Sequence, residues 1–272
     1  MTNSPDSPGA PAAAATAAPP ASDIRPVNGH NGLLSERWDL LAADWISWAR
    51  APGHDSYWRF HRDAFFKLVP SPGQLTVDIG CGEGRVTRDL RDAGHRVFGL
   101  DLSPAMCLAT LTHEEPSLVV TADARRLPLP ARIADCAIAF MALQDIDDMA
   151  VAVREAARVL VLGGSFVMAI IHPMYSGGGF DENRTVDAPF MASKSYFHVG
   201  HCSRTDTQDN RTITFHREHR PLRDYTDALT GAGFVIEKLN EPTDPDPQKP
   251  SHRIPMFLDI LATLRSPETA RR

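Results

Sequence analysis

Short apolar runs alternate with amphipathic segments along the middle of the chain. The first five runs are LTVDIG (75–80), RVFGLD (96–101), LVVTAD (118–123), ADCAIAFMAL (134–143) and GSFVMAIIHP (164–173). Two later runs are FVIEKLNEP (234–242) and PMFLDILATLR (255–265). Near-continuous apolar strands that alternate with helices are typical of a parallel sheet covered on both faces. The pattern therefore predicts an α/β fold with a doubly wound, mainly parallel sheet of seven strands.

The pattern before the first strand is helical. Apolar side chains recur every three or four residues, at Leu34, Trp38, Leu41, Trp45 and Trp48. This spacing predicts an amphipathic helix with an aromatic stripe, which we assign to the core. Residues 1–30 are rich in Pro, Ala and Ser and hold almost no large apolar side chain, so we predict that they are disordered.

The alternation of strands and helices stops after the fifth strand. Residues 173–210 are rich in Gly, Ser, Asp and His, and RTITFHREH (211–219) alternates like a strand. The predicted organisation is a disordered tail (1–30), an N-terminal helical cap (31–70), a ligand-binding core (71–172), an inserted substrate lid (173–220), and a C-terminal helix with the last two strands (221–266).

Composition narrows the functional classes. The 272 residues carry 28 Lys and Arg against 34 Asp and Glu, a net charge of −6, which disfavours nucleic acid as the main partner. The four cysteines form no CxxC pair, so we expect free thiols. No run approaches the ~18 apolar residues of a membrane span, and the Ala-rich start lacks a basic n-region. We therefore expect a cytoplasmic protein.

The stretch TVDIGCGEGRVT (76–87) holds the main chemical signal. A strand, a glycine-rich turn and a helix let a ligand approach the backbone and meet free N–H groups. Gly80, Gly82 and Gly84 follow a G-x-G-x-G spacing, which differs from the G-x-G-x-x-G of nicotinamide sites. Asp78 would repel a pyrophosphate and suits a cationic ligand with an amino group.

Two more aspartates follow the next two strands. Asp101 ends the second strand, where a carboxylate accepts hydrogen bonds from both ribose hydroxyls. Its alternative role as a helix cap is already filled by Ser103. Asp123 ends the third strand and is placed to accept from an adenine amine, with a plain turn residue as the alternative.

The segments VDIGCGEGR, VFGLDLS, TADARRLP and RVLVLGGSFVMAI resemble the class I S-adenosylmethionine-dependent methyltransferases. This resemblance covers roughly residues 70–172 and extends less specifically to the C-terminal part of the small-molecule subgroup. It implies a Rossmann-like methyltransferase fold whose seventh strand is reversed. The implied cofactor is S-adenosylmethionine, which leaves as S-adenosylhomocysteine. The cofactor-binding residues that it implies are Asp78, Gly80, Cys81, Gly82, Asp101, Leu102, Met106, Asp123, Ala124 and Met141, with Gln144 on the substrate side.

Methyl transfer needs alignment and exclusion of water more than a fixed catalytic signature. His172 follows the fifth strand and is our candidate general base; the alternative is a histidine bound to a neighbouring loop. In the segment 49–58, Arg50 and Tyr57 are candidates to bind the cofactor's carboxylate or close the site, with His54 as a further possibility. A packing and capping segment is the alternative there.

The insertion contains two H-x-x-H pairs, but we predict no metal site. In a strand, His216 and His219 point to opposite faces. A substrate lid fits better, with an aromatic wall of Tyr196, Phe197 and Phe215 and oriented donors at His219 and Arg220. Arg220 is a candidate anchor for an acceptor carboxylate, or else a surface arginine in a salt bridge.

These observations predict methyl transfer to an oxygen or nitrogen of a small molecule, such as a secondary metabolite, by a monomer or homodimer. The alternatives are a peptide carboxylate or a tRNA base as acceptor, and a non-catalytic S-adenosylmethionine-binding module. A nicotinamide oxidoreductase is disfavoured by the loop spacing and by Asp78.

Overall fold

The computed structural model describes residues 34–51, 53–112, 118–181, 185–192 and 195–265. Its strands are β1 (Thr76–Ile79), β2 (Val97–Asp101), β3 (Leu118–Thr121), β4 (Ala134–Phe140), β5 (Leu160–Ile171), β6 (Gly178–Phe180), β7 (Phe190–Ala192), β8 (Gly200–Gln208), β9 (Arg211–His219), β10 (Phe234–Asn240) and β11 (Phe257–Leu264). Its α-helices are α1 (Leu34–Ala49), α2 (Arg62–Phe66), α3 (Arg85–Asp92), α4 (Pro104–Leu111), α5 (Met149–Val159), α6 (Pro173–Ser176) and α7 (Leu222–Gly231). The predicted tail at 1–30 lies outside the described residues.

One seven-stranded sheet organises the fold, in the order β3-β2-β1-β4-β5-β11-β10. Strands β1 to β5 pair in parallel with their neighbours, whereas β11 runs antiparallel to both β5 and β10. This confirms the seven-stranded, mainly parallel sheet and its single reversed strand. The register places Ile79 beside Leu100 and Asp101 beside Thr121, so the ends of the first three strands lie together.

Side chains of the central strands belong to two hydrophobic clusters. Along β4, Ala137 and Ala139 belong to one cluster, and Ile138 and Phe140 to the other. Because successive strand residues point to opposite faces, both faces of β4 are covered. This burial explains why the sequence shows an unbroken apolar run there instead of alternation.

The segment after β5 forms α6 and two small antiparallel pairs, β6–β7 and β8–β9. The sequence predicted a strand only over 211–219, because its partner GHCSRTDTQ is too polar to show a hydrophobic pattern. Asp209 and Asn210 form the tight turn with φ values of 48° and 60°, a conformation that Asp and Asn tolerate. Helix α1 packs against β9, so the hairpin joins the N-terminal cap.

Two further features bear on the environment of the protein. All four cysteines are buried and unpaired. Among the helices that the structure describes, none has the length and apolar character needed to cross a membrane.

Candidate functional site

The glycine loop after β1 is shaped by close contacts that exclude side chains. Gly80 and Gly82 have φ values of 71° and 58°. A Cβ on Gly80 would lie 2.6 Å from the Cβ of Ala142, so any side chain there would displace the loop that follows β4. The backbone N–H groups of Gly80 and Cys81 both donate to the carbonyl oxygen of Leu100. The loop is therefore fixed to the end of β2 and stays open on its other side.

Asp101 connects this loop to the helix that follows β2. Its Oδ2 accepts from the Gly82 N–H at 2.9 Å, and its Oδ1 accepts from the Ser103 N–H at 2.9 Å. Ser103 caps α4 by accepting from the Met106 N–H. Each carboxylate oxygen has a second lone pair, so Asp101 keeps acceptor capacity for a ligand.

Asp78 lies beneath the loop and is 1% exposed. Burial raises its pKa to about 7, with the charge of Asp101 adding to this effect, while the hydrogen bond from Thr87 Oγ1 at 2.6 Å opposes it. Asp123, after β3, is more exposed and pairs with Arg125 at 2.8 Å. The hydrogen bonds from Arg125 lower the pKa of Asp123.

A cavity of about 450 Å³ opens at this edge of the sheet. The structure brings eleven of the predicted residues to its wall: Asp78, Gly80, Cys81, Gly82, Asp101, Leu102, Met106, Asp123, Ala124, Met141 and Gln144. The cavity continues beyond them to α1, the segment 54–61, and the β8–β9 hairpin. One space therefore joins the carboxylate edge of the sheet to the cap.

Arg50 and Tyr57 do not reach this cavity, in contrast to the prediction. Arg50 donates to Glu83 Oε2 at 3.0 Å and to the carbonyl oxygen of Ala109 at 3.0 Å. Tyr57 is fully buried and donates its hydroxyl to Asp89. Both side chains fasten the cap to the core, which is the packing role left open from the sequence.

His172 also lies outside the cavity wall, although its neighbour Ile171 lines it. Its Nδ1 accepts from the Met174 N–H at 3.0 Å and caps α6. The Nε2 nitrogen must then carry the proton, which it donates to Glu241 at 3.0 Å. With both ring nitrogens engaged, His172 is not available as the general base.

Three of the four predicted substrate residues are likewise structural. His219 contacts Ser176 Oγ at 2.7 Å and the carbonyl oxygen of Tyr196 at 3.0 Å. The Tyr196 hydroxyl accepts from the Leu222 N–H. Arg220 pairs with Glu218 and donates to the Ile146 carbonyl at 2.7 Å, so it is neither a surface arginine nor a free anchor. Of this set, Gln144 alone lines the cavity.

Most of the aromatic wall is built by tryptophans that we assigned to the core from the sequence; of the predicted wall residues, Phe215 lines the cavity, and Tyr196 and Phe197 do not. Trp38, Trp45 and Trp48 all line the cavity together with Phe215. Trp45 meets Phe215 edge-on at 6.0 Å, and Trp48 does so at 6.3 Å. The sequence shows the regular spacing of the three tryptophans. It does not show that they face Phe215, which lies on a hairpin about 170 positions further along the chain.

Five buried side-chain polar atoms lack a hydrogen-bond partner in the part of the chain that the structure describes: Trp38 Nε1, His54 Nδ1, Gln144 Oε1, Arg217 Nε and Arg217 Nη2. All four residues line the same cavity. Buried polar groups are normally paired, so an unpaired cluster around one cavity indicates a place for a polar ligand. Within the described ranges, no three His, Cys, Asp or Glu side chains are grouped to hold a metal ion.

Comparison with known proteins agrees with this geometry. Residues 77–168 match the model of a family described as "Methyltransferase domain". The chain is 28% identical over 130 residues to the malonyl-[acyl-carrier protein] O-methyltransferase of Serratia marcescens, a match that covers 46% of this chain and 51% of that protein. It is 31% identical over 146 residues to the demethylmenaquinone methyltransferase of Mycobacterium marinum, covering 54% of this chain and 59% of that protein.

The alignments therefore span about half the length of these curated relatives. Among solved structures, an S-adenosylmethionine dependent methyltransferase from Mesorhizobium loti superposes with a TM-score of 0.60 at 26% identity. That match covers 74% of this chain and 96% of the other. The residues that match the family model, 77–168, include the glycine loop and most of the parallel strands β1 to β5.

Proposed function

We propose that this chain, whose residues 77–168 match a methyltransferase domain and whose fold resembles that of an S-adenosylmethionine dependent methyltransferase, methylates an oxygen or nitrogen of a small molecule, such as a secondary metabolite. The observation that carries this proposal is the single cavity that joins three strand-end aspartates to an aromatic wall with unpaired polar groups. Such a space accommodates a cofactor and an acceptor side by side.

The residues at the sheet edge fit the cofactor. The side-chain-free backbone at Gly80 and Gly82, both of which line the cavity, allows the methionine part to approach closely. Asp101 accepts from the ribose hydroxyls, and Asp123 with Ala124 faces the adenine. Asp78 lies beneath the loop, where its carboxyl supplies negative charge once it is ionised, with a pKa of about 7 in the free protein. When bound, S-adenosylmethionine supplies an electrophilic methyl group on a cationic sulfur.

The chain's own contribution is to align the acceptor, exclude water and receive a proton. Trp45, Trp48 and Phe215 cover the cavity with apolar rings. His54 replaces His172 as our candidate base. Its Nε2 lies 2.9 Å from Asp209 Oδ2, so the carboxylate holds the proton on Nε2 and leaves the lone pair on Nδ1. That nitrogen is one of the unpaired atoms, and it accepts the proton of a hydroxyl or amine acceptor.

Several features favour a small acceptor. The cap and the β8–β9 hairpin form part of the cavity wall, which suits an acceptor small enough to fit inside the cavity. The net charge of −6 also disfavours a polyanion. Buried, unpaired cysteines suit a reducing cytoplasm. A monomer or a homodimer is compatible with a cavity whose wall comes from one chain.

Methyl transfer from labelled cofactor tests the proposal. The purified protein is incubated with methyl-labelled S-adenosylmethionine and separate small-molecule, peptide and tRNA fractions of a bacterial extract. We expect label in the small-molecule fraction, little label with Asp101→Ala, and full label with Asp92→Asn, which changes an exposed carboxylate on α3. Label in peptide or tRNA would assign a different acceptor. Cofactor binding by calorimetry without any transfer would indicate a non-catalytic module.

A further inference from the structure

Arg217 differs from the other arginines of the cavity wall. It lies on β9 opposite Cys202 and is 6% exposed. Its Nε and Nη2 atoms have no hydrogen-bond partner. By contrast, Arg85 pairs with Asp55 and Arg204 pairs with Asp206. Arg59 and Arg125 likewise have carboxylate partners, Asp244 and Asp123.

The protein offers Arg217 little countercharge. The side chain of Asp145, which also lines the cavity, interacts electrostatically with Arg217 and Arg220. Burial raises the pKa of Asp145 well above its ordinary value, and the carboxyl is shared between two guanidinium groups, which both oppose this shift. Arg220 has its own partner in Glu218. A buried guanidinium that shares its one nearby carboxyl and has unpaired Nε and Nη2 donors is unfavourable unless a ligand supplies acceptors and negative charge.

Arg217 shares the cavity wall with several aromatic side chains. Phe215 and Arg217 are two residues apart on β9, so they share one face of the strand. Phe215 packs edge-on against Trp45 and Trp48, and Trp38 packs edge-on against Trp45 at 5.9 Å. We name this part of the cavity the Arg217 corner, formed by Arg217, Phe215 and the three tryptophans. A flat ring fits such a wall, and a guanidinium at its end recognises an acid.

We propose that the Arg217 corner binds an aromatic acid, with the ring of the methyl acceptor against the tryptophans and its carboxylate or phosphate on the Arg217 guanidinium. This inference rests on the proposed function, which it narrows to anionic acceptors. A neutral carbonyl group would satisfy the N–H donors but would leave the buried charge uncompensated. The acid group belongs either to the acceptor, as proposed, or to the methionine part of the cofactor, and the experiment distinguishes the two.

The test compares acids with their neutral amides on matched variants. Benzoate, 4-hydroxybenzoate and 1-naphthoate, each beside its amide, are titrated by calorimetry in the presence of saturating S-adenosylhomocysteine. Arg217→Gln keeps hydrogen-bond donors and removes the charge. Arg223→Gln makes the same change at an exposed arginine on α7 and serves as control. S-adenosylhomocysteine is titrated alone into each protein, and thermal unfolding is recorded without ligand.

We expect at least one acid to bind wild type and Arg223→Gln about tenfold more tightly than its amide. Arg217→Gln should lose this preference, keep its affinity for S-adenosylhomocysteine and melt no lower than wild type, because it removes an uncompensated charge. The proposal is overturned if no acid outbinds its amide on wild type, or if Arg217→Gln retains the preference. A loss of S-adenosylhomocysteine affinity in Arg217→Gln would assign the residue to the cofactor. Failure of wild type to bind S-adenosylhomocysteine would instead contradict the proposed function.

Discussion

At the residue scale, Asp101 combines two tasks in one carboxylate. It accepts from the Gly82 and Ser103 N–H groups, and each oxygen keeps a lone pair for a ligand, which we propose to be the ribose of the cofactor. We predict that Asp101→Ala weakens S-adenosylmethionine binding by about 1–3 kcal/mol, because the ribose bonds are lost and two backbone donors are released. Calorimetric titration of the cofactor measures this loss. Asp92→Asn is the control, and an affinity equal to wild type in Asp101→Ala would show that this carboxylate does not contact the ribose.

Asp78 gives the free protein a pH-dependent stability. Its pKa rises from an ordinary value of 3.8 to about 7, chiefly through burial. Between pH 3.8 and about pH 7, the Asp78 carboxyl is deprotonated in the unfolded chain but still protonated in the folded chain. The stabilisation from this group is therefore complete below pH 4 and disappears as the pH rises through about 7. An asparagine at position 78 would have nearly the same shape as the aspartate and would carry no titratable group.

We predict that the free energy of unfolding of wild type falls by a few kcal/mol more than that of Asp78→Asn between pH 5 and pH 8, at about 1.4 kcal/mol for each pH unit. Urea unfolding without ligand at the two pH values provides the comparison. Because every other titrating group is present in both proteins, their contributions cancel. Parallel pH profiles for the two proteins would mean that Asp78 is ionised in the folded state throughout.

At the element scale, the turn between β1 and α3 depends on how closely α4 approaches it. Gly84 caps α3 with φ at 91°, and a Cβ there would lie 2.6 Å from Thr110 Cγ2. Gly163 has a similar φ of 83° and open space around it. We predict that Gly163→Ala costs about 1 kcal/mol of stability from the left-handed backbone alone. Gly84→Ala should cost more and also weaken cofactor binding, since Thr110 donates to the Gly82 carbonyl. Urea unfolding of both variants measures the difference, and equal costs would exclude the steric contribution.

The elements that the sequence predicted correctly share one property: each has an apolar pattern of its own that reveals how it is buried. β1, β2 and β4 are buried, so their runs identify them, and parallel pairing then brings Asp78 and Asp101 to one edge. The sheet and the cofactor side of the cavity therefore follow from local sequence. β8 has no such pattern: its sequence GHCSRTDTQ is mostly polar, and in the described part of the chain its strand partner is β9.

The direction of single side chains was harder to predict. Arg217 and Arg220 lie three residues apart, and the sequence pattern indicated Arg220 as the candidate anchor and did not indicate Arg217. In the structure, Arg220 forms an ion pair with Glu218, whereas the Nε and Nη2 atoms of Arg217 have no hydrogen-bond partner. Tyr57 lies in a short π-helical segment, whose side-chain directions the spacing of apolar residues does not reveal. Such placements depend on tertiary contacts between distant segments.

At the scale of the whole molecule, the N-terminal cap is fastened to the last strand by one buried pair. His61 Nε2 lies 2.7 Å from Asp259 Oδ1, and both side chains are at most 1% exposed. The other oxygen of Asp259 accepts from Asn240 at 3.1 Å, and His61 stacks on Phe257 with ring centroids 4.0 Å apart. Because His61 also lines the cavity, this pair connects global stability to the shape of the site.

We predict that His61→Ala or Asp259→Ala alone lowers the free energy of unfolding by about 3–5 kcal/mol, since each leaves a buried polar partner without its bond. The double variant should lose clearly less than the sum, because the second substitution removes a group that is already unpaired. Urea unfolding of the four proteins gives the coupling energy. The three variants should bind the cofactor only slightly more weakly than wild type, because neither His61 nor Asp259 contacts the glycine loop. A coupling energy near zero would mean that the cap is held by its apolar contacts, with Phe65 and Phe140 as the first candidates, and not by this pair.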